Sequence, residues 1–381
     1  MSVHDLYAVP TDLTGWQVPI EGAARFTWNY DGRDHLLRLY QKGKDKQWDS
    51  SRRIDWNVPV NRYNALGMPA RFMPIYESST WHKINLREKA LASLHYTAWQ
   101  FSQFLHGEQG AMVCAARIIE TVPDMDAKFF AATQAMDESR HAEIDARFLT
   151  EKIQLSYPIN HNLRQLLDDT LRDSRWDMTF LGMQVLIEGL ALAAFGVIRD
   201  RTTAALPRQI LTYIMQDEAR HVAFGRAVLR EYYAQLTMRE RIEREDFVIY
   251  GCRLMWDRFR GQEVWENLGY DMHDCLETVE NSPYMQSFRS LLFNRIAPCV
   301  KDIGLWSPRI QDAYEKLGIL SLANIDLKGL MRYDEDVAHR IEREESARLR
   351  ELAHTISQSA GCAISLEEIS PHAKPQREGR G

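Results

Sequence analysis

A chain of 381 residues with 45% hydrophobic and 26% charged side chains can bury a sizeable core, and its net charge of −6 argues against a nucleic-acid-binding surface. Its five cysteines, odd in number and without a Cys-x-x-Cys, point to reduced thiols in the cytoplasm rather than a disulfide frame. Residues 1–10 lack a basic stretch followed by an apolar one, so no export signal is expected there.

Residues 1–85 are rich in aromatics (Trp16, Trp28, Tyr30, Trp48, Trp56, Tyr63) and weakly periodic, which suggests an irregular covering segment. A short helix is expected from His35 to Tyr40, ended by Lys42-Gly43-Lys44. A helical bundle should then occupy 86–265. Its first helix runs from Leu86 to Thr121, where Pro123 stops it, and Glu108 lies on or beside the apolar stripe of Leu91, Leu94, Ala98, Leu105, Met112 and Ile119. The second starts near Asp124 or Asp126 and reaches about Leu155, placing Phe130, Gln134, Glu138, His141, Asp145 and Phe148 along one stripe.

The third helix, with Asp173 or Ser174 as its expected cap, carries Glu188. Its run from Met178 to Ile198 is apolar enough to resemble a membrane helix, but Glu188 sits mid-run and Asp177 and Arg199 bracket it, so a buried bundle helix is expected. Pro207 suits the first turn of the fourth helix, which carries Glu218 and His221 towards Tyr233. A charged patch at 239–246 opens a fifth helix reaching about Arg260. Accessory helices are expected over 266–360, with starts at Ser282-Pro283 and Ser307-Pro308 and a charged amphipathic stretch from Asp334 to Ser357, and a flexible tail over 361–381.

One pattern carries chemistry. Asp137-Glu138-Ser139-Arg140-His141 recurs as Asp217-Glu218-Ala219-Arg220-His221, and each copy has a glutamate 30 residues upstream, Glu108 and Glu188. Residues three apart on a helix share a face, so each Glu-x-x-His pair points one way. Two lone glutamates with two Glu-x-x-His pairs are the ligand set of dinuclear carboxylate centres in four-helix bundles. The expected fold is therefore all-α, a ferritin-like four-helix bundle with flanking helices. About four negative charges from Glu108, Glu138, Glu188 and Glu218 balance two Fe²⁺, with neutral His141 and His221 completing the set; the same hard donors also accept manganese. Asp137 is expected to receive the free ring N–H of His221, and Asp217 that of His141, with Arg140 and Arg220 as their counter-charges. Asp145, one turn beyond His141, is a further candidate partner for that ring, or else the acceptor of an ordinary salt bridge. Glu351 and His354 also form a Glu-x-x-His, but without the flanking Asp and Arg, and position 321 is Ser; that copy reads as coincidence.

The doubled Asp-Glu-x-Arg-His with its matched upstream glutamates resembles the ferritin-like di-iron oxygenases: the hydroxylase subunits of bacterial multicomponent monooxygenases, and the wider group of aryl-amine N-oxygenases and acyl-CoA epoxidases. The resemblance covers about residues 90–235. It implies O₂ activation on a small organic substrate by hydroxylation, epoxidation or N-oxygenation, electrons from a separate reductase or ferredoxin, and homodimerisation. By position it assigns Glu108, Glu138 and His141 to one iron and Glu188, Glu218 and His221 to the other, with some glutamates bridging. Leu192 stands where the methane and toluene hydroxylases carry a threonine, and Ile214 where the aryl-amine N-oxygenases carry an additional histidine, so the resemblance specifies the site and not the substrate.

Two other functions use similar ligands. A ferroxidase or iron-storage protein needs little beyond its bundle, whereas this chain adds long segments on both sides. A radical-generating ribonucleotide reductase subunit carries a tyrosine one turn past the first histidine, where this chain has Asp145. Phe104, Met112, Phe148, Leu192, Phe195, Ile214 and Met215 fall within two turns of a ligand and are candidate pocket walls, favouring an apolar or aromatic substrate.

Overall fold

Start and stop signals written into the chain account for most of the helices. The structure, a computed structural model, describes residues 18–20, 24 and 33–360, and among these there is no strand. Trp16, Trp28, Tyr30, Cys362 and the tail expected over 361–381 lie outside the described residues.

Helix α1 (Asp34–Asp45) runs straight through the expected stop at Gly43. The glycine faces inward: a Cβ there would lie 3.0 Å from Thr133 Oγ1, so its missing side chain permits close helix contact instead of ending the helix. Short helices α2 (Ser50–Arg53) and α3 (Ser79–Lys83) come next, so the segment before the bundle is more ordered than its weak periodicity suggested.

Four long helices make the bundle. Helix α4 (Leu86–Thr121) opens with a capping box, in which Asn85 Oδ1 accepts from the Glu88 amide at 3.1 Å and Glu88 Oε2 accepts from the Asn85 amide at 2.8 Å. Helix α5 (Met125–Arg147) is capped by Asp124 and continues as a π-helical turn, Phe148–Ile153. Only three residues separate α4 from α5, which makes them antiparallel neighbours. Helix α6 (His161–Arg172) occupies the long connection to α7 (Trp176–Arg201). The expected cap of α7 is not formed: Arg175 precedes its first turn, and Asp173 Oδ1 instead accepts from the Arg175 amide at 2.9 Å. Helix α8 (Ala205–Tyr233) begins three residues after α7, with Pro207 in its first turn.

Helix α7 is apolar on all sides because it is enclosed on all sides. Every residue from Asp177 to Leu190 is buried, so the helix long and apolar enough to cross a membrane lies inside the protein. Its middle, Leu181–Ile187, is π-helical and ends directly at Glu188. The extra residue in such a turn rotates the second half of the helix relative to the first, and so helps set where Glu188 points. Small residues surround the wider turn: a Cβ on Gly182 would lie 2.2 Å from Thr170 Oγ1, and one on Gly225 of α8 would lie 2.4 Å from Gln184 Cβ.

Helix α9 (Met238–Asp257) begins with a second capping box, Thr237 and Glu240, and ends in a 3₁₀ turn, Arg258–Arg260. Among the accessory helices, α10 (Gln262–Asn267), α11 (Met272–Asn281) and α13 (Ile296–Asp302) are short, and α12 (Pro283–Leu292) and α14 (Pro308–Lys316) start behind caps Ser282 and Ser307. The last, α15 (Leu327–Ala360), packs across α8; its buried Asp334 accepts from Arg295 Nη2 at 2.5 Å and Arg199 Nη1 at 3.2 Å.

Candidate metal centre

Each bundle helix delivers its acidic residue to one place: Glu108 from α4, Glu138 and His141 from α5, Glu188 from α7, Glu218 and His221 from α8. All six are buried, with Glu108 the most exposed at 5%. Ligand atoms of Glu108, Glu138, His141 and Glu218 lie within 4.8 Å of one another, as do those of Glu138, Glu188 and His221. His141 Nδ1 is 3.0 Å from Glu218 Oε1 and 3.3 Å from Glu138 Oε2, while His221 Nδ1 is 3.0 Å from Glu138 Oε1 and 3.5 Å from Glu218 Oε1. Glu138 and Glu218 thus stand between the two rings, and Glu108 and Glu188 lie at the outer ends.

The donor atoms fit a pair of metal ions. Glu138 Oε2, His141 Nδ1, Glu188 Oε2, Glu218 Oε1 and His221 Nδ1 are all buried without a hydrogen bond, although they lie close together. Five such orphans in one cluster would be costly unless a cation met them. Gln134 steadies the frame: its Nε2 donates to Glu188 Oε1 at 2.6 Å and Glu138 Oε1 at 3.1 Å, and Gln184 of the π turn donates to its Oε1 at 3.1 Å.

Outside this cluster the two motifs cross. His141 Nε2 is 3.1 Å from Asp217 Oδ2, and His221 Nε2 is 3.2 Å from Asp137 Oδ2. An ionised carboxylate only accepts, so each Nε2 carries the proton and each Nδ1 keeps its lone pair for the cluster. Arg140 donates to Asp137 and, at 2.9 Å, to Asp217; Arg220 donates to Asp217 at 2.5 Å and Asp137 at 3.2 Å. Two carboxylates and two guanidiniums form a closed, neutral lattice. The N-terminal segment seals it: Gln47 Nε2 donates to Asp137 Oδ1 at 2.7 Å, and Trp48 Nε1 to Asp217 Oδ2 at 2.9 Å. No sequence signal marked Gln47 and Trp48 as contacts of the motif aspartates.

Protonation reflects this layout. Burial pushes the carboxyls of Glu108 and Glu188 well above the usual range, and neighbouring carboxylates add to the effect, Glu218 on Glu108 and Glu138 on Glu188. Burial alone would depress both imidazoles, but surrounding carboxylates outweigh it and hold His141 and His221 well above the ordinary value. The same attraction, against the cost of burial, keeps Glu138, Asp137 and Asp217 low. Without metal the two rings carry positive charge in its place.

A family described as p-aminobenzoate N-oxygenase AurF matches residues 30–304, well over half of the chain. The chain belongs to that family. The AurF-family assignment makes it a di-iron oxygenase, an oxidoreductase whose Glu and His cluster is suited to two metal ions. No curated protein matches. Among solved structures, a point mutant of an R2-like ligand-binding oxidase with anaerobically reconstituted Mn/Fe cofactor is 16% identical, with 72% of this chain and 96% of that one covered at a TM-score of 0.48. An R2-like ligand-binding oxidase with aerobically reconstituted metal cofactor after photoconversion is 15% identical, covering 72% and 95% at a TM-score of 0.47.

Within the AurF-family chain some expected neighbours of the site lie elsewhere. A narrow chamber beside Glu108, Glu188 and Glu218 is lined by Phe104 and Phe195, and also by Gln103 and Arg258. Of the other candidate walls, Phe148 packs on Phe101 with tilted rings, centres 4.4 Å apart, in the core, Met215 packs under Arg199, Met112 accepts from Ser139, and Leu192 and Ile214 are buried outside the chamber lining. Asp145 corrects a second expectation. It is buried, yet neither the His141 ring nor a basic side chain donates to it, because Asp217 already holds His141 Nε2 and Nδ1 faces the glutamates. Burial raises its carboxyl well above the ordinary range; His141 opposes the rise and Glu218 adds to it. Glu351 and His354 are both exposed on α15 and belong to neither ligand cluster found among the described residues.

Proposed function

We propose that this chain is a di-iron monooxygenase that inserts one oxygen atom of O₂ into a small aromatic amine at nitrogen, the second atom leaving as water. The observation that carries the reading is the set of buried, partnerless donor atoms meeting in one cluster in a member of an N-oxygenase family. Glu108, Glu138 and His141 would hold one iron and Glu188, Glu218 and His221 the other. Bound ferrous ions supply the electrons and open positions that O₂ activation needs. The protein orients the ligands through Asp137, Asp217 and Gln134, and keeps bulk water out with Phe104 and Phe195. Two electrons and two protons per turnover convert the second oxygen atom to water; a separate donor protein returns two electrons to the centre before the next cycle, since the sequence has no nicotinamide or flavin fingerprint and no cysteine cluster. The enzyme works as a homodimer in the cytoplasm.

The test is to load the metal-free protein with Fe²⁺ under anaerobic conditions, admit O₂, and follow oxygen uptake and products with aromatic amines, aromatic acids and acyl thioesters. Uptake coupled to an N-oxygenated product supports the reading. No uptake with two irons bound overturns it, and uptake that yields only mineralised iron favours a ferroxidase.

A further inference from the structure

The internal repeat extends beyond the ligands, and there its two halves part. The offset of 80 that maps Glu108 onto Glu188 and Glu138 onto Glu218 also maps Gln134 on α5 onto Ile214 on α8, and Phe104 on α4 onto Gln184 on α7. All four of these residues are buried, and each lies one turn before a ligand glutamate. Glu138 and Glu188 are thus backed by two amides, and Glu108 and Glu218 by two hydrocarbon side chains.

The amides act as a clamp. Gln184 Nε2 donates to Gln134 Oε1, which sets the direction of the Gln134 amide and turns its Nε2 towards Glu138 Oε1 and Glu188 Oε1. One oxygen of each glutamate is tied down, and the other, Oε2, is left bare for the cluster. The π turn belongs to this half alone: it widens α7 around Gln184, whereas α4 is α-helical throughout Leu86–Thr121. Ile214 and Phe104 have no donor to offer. Among the described residues, the only side-chain nitrogens within hydrogen-bonding distance of Glu108 or Glu218 are Nδ1 atoms of the cluster itself. Moving Glu138 or Glu188 would strand a buried amide, but moving Glu108 or Glu218 breaks no such bond. Space is uneven too. The chamber beside Glu108, Glu188 and Glu218 measures about 20 Å³, room for a guest the size of water. The matched residues Gly107 and Ile187 both line it; a Cβ on Gly107 would meet nothing within 4 Å, whereas Ile187 already carries a branched side chain.

We propose that Gln134 and Gln184 are positioning residues that let the centre open on one side only. They hold Glu138 and Glu188 still, while Glu108 and Glu218 are free to turn, and a small guest in the chamber takes the place they vacate beside His141. This rests on the oxygenase reading above, which requires one place to open, and names the carboxylates that open it.

The test is anaerobic titration of the di-ferrous protein with azide, a small probe, read by near-infrared magnetic circular dichroism, which reports the coordination of each ferrous ion. In the wild type, one azide should bind and perturb the bands of one ion only. Ile214→Gln gives Glu108 and Glu218 the donor they lack. It should weaken azide binding by roughly ten- to a hundredfold, the worth of a hydrogen bond to a charged group, with iron content unchanged. Gln134→Met keeps the shape of the side chain without its amide and should admit a second azide. Two equivalent azides in the wild type, or none, overturn the proposal. So does wild-type azide affinity in folded Ile214→Gln, or a stoichiometry that stays at one in folded Gln134→Met, where Gln134 would be packing alone. Should one variant fail to fold, judged by circular dichroism and iron content, the other decides; should both fail, the wild-type stoichiometry decides. Oxygen uptake by the wild type separates the two readings: uptake with two equivalent azides refutes the clamp only, and a single azide site that depends on Gln134, without uptake, refutes the oxygenase only.

Discussion

Asp217→Asn changes one charge at the most connected point of the motif lattice. Asp217 is 1% exposed and accepts from Trp48 Nε1, Arg140 Nη2, Arg220 Nη2 and His141 Nε2 at 2.9, 2.9, 2.5 and 3.1 Å. Two consequences can be sized. Without its charge, two buried guanidiniums share Asp137 alone, and breaking a buried pair of this kind costs about 3–5 kcal/mol. His141 also exchanges a charged, accept-only partner for a neutral amide that holds its tautomer less firmly, which weakens metal binding by about ten- to a hundredfold. The second effect should be one-sided, because Asp217 touches His141 and not His221. Anaerobic Fe²⁺ titration, with stoichiometry from plasma mass spectrometry, should therefore give one tight and one weakened position, after circular dichroism has shown native helix content. Asp137→Asn should give the mirror result at the position of His221. Wild-type affinity at both positions, or equal loss at both in a folded protein, would refute the assignment of these aspartates.

Gly225→Ala places a Cβ 2.4 Å from Gln184 Cβ, an overpacking worth about 1–3 kcal/mol, and by shifting Gln184 against Gln134 it should disturb iron uptake as well as lower the melting temperature; an unchanged melting temperature would show the contact to be soft. The raised pKa values of Glu108, Glu188, His141 and His221 mean that the metal-free folded protein holds protons the unfolded chain has released above about pH 5 to 6.5. Its melting temperature should fall as pH rises from there towards the raised values, while the depressed Glu138, Asp137 and Asp217 matter only at lower pH. Metal replaces those protons, so the loaded protein should lack this decline; identical pH profiles with and without metal would contradict the linkage. His354→Ala, on exposed α15, should leave iron content and melting temperature unchanged, and any loss of iron would make that copy of the motif more than coincidence.

Much of this architecture was legible because the signals were local. Pro123, Asp124, Ser282 and Ser307 mark helix ends by removing a donor or supplying an acceptor, and the doubled motif places Glu138 with His141 and Glu218 with His221 by helical period alone. Other features depended on contacts remote in sequence. The π turn before Glu188 has no residue signature: its wider backbone is accommodated by Gly182 against Thr170 and Gly225 against Gln184. Gly43 resembled a helix stop because nothing local showed that Thr133 would press against it. Arg258 lies 40 residues beyond Glu218 in an ordinary charged helix end, and only the folded chain shows that it lines the chamber beside Glu108, Glu188 and Glu218.

The internal repeat makes the centre almost palindromic, and the N-terminal cover breaks the palindrome. An amide, Gln47, meets Asp137, whereas an indole, Trp48, meets Asp217. An amide can both give and take a hydrogen bond and stays polar on every side; an indole only gives one and shields the carboxylate with a hydrocarbon face. The two histidines therefore sense unequal basicity through their aspartates. The two metal positions are thus alike in their ligands and unlike in what stands behind them, so the internal repeat does not make them chemically equivalent.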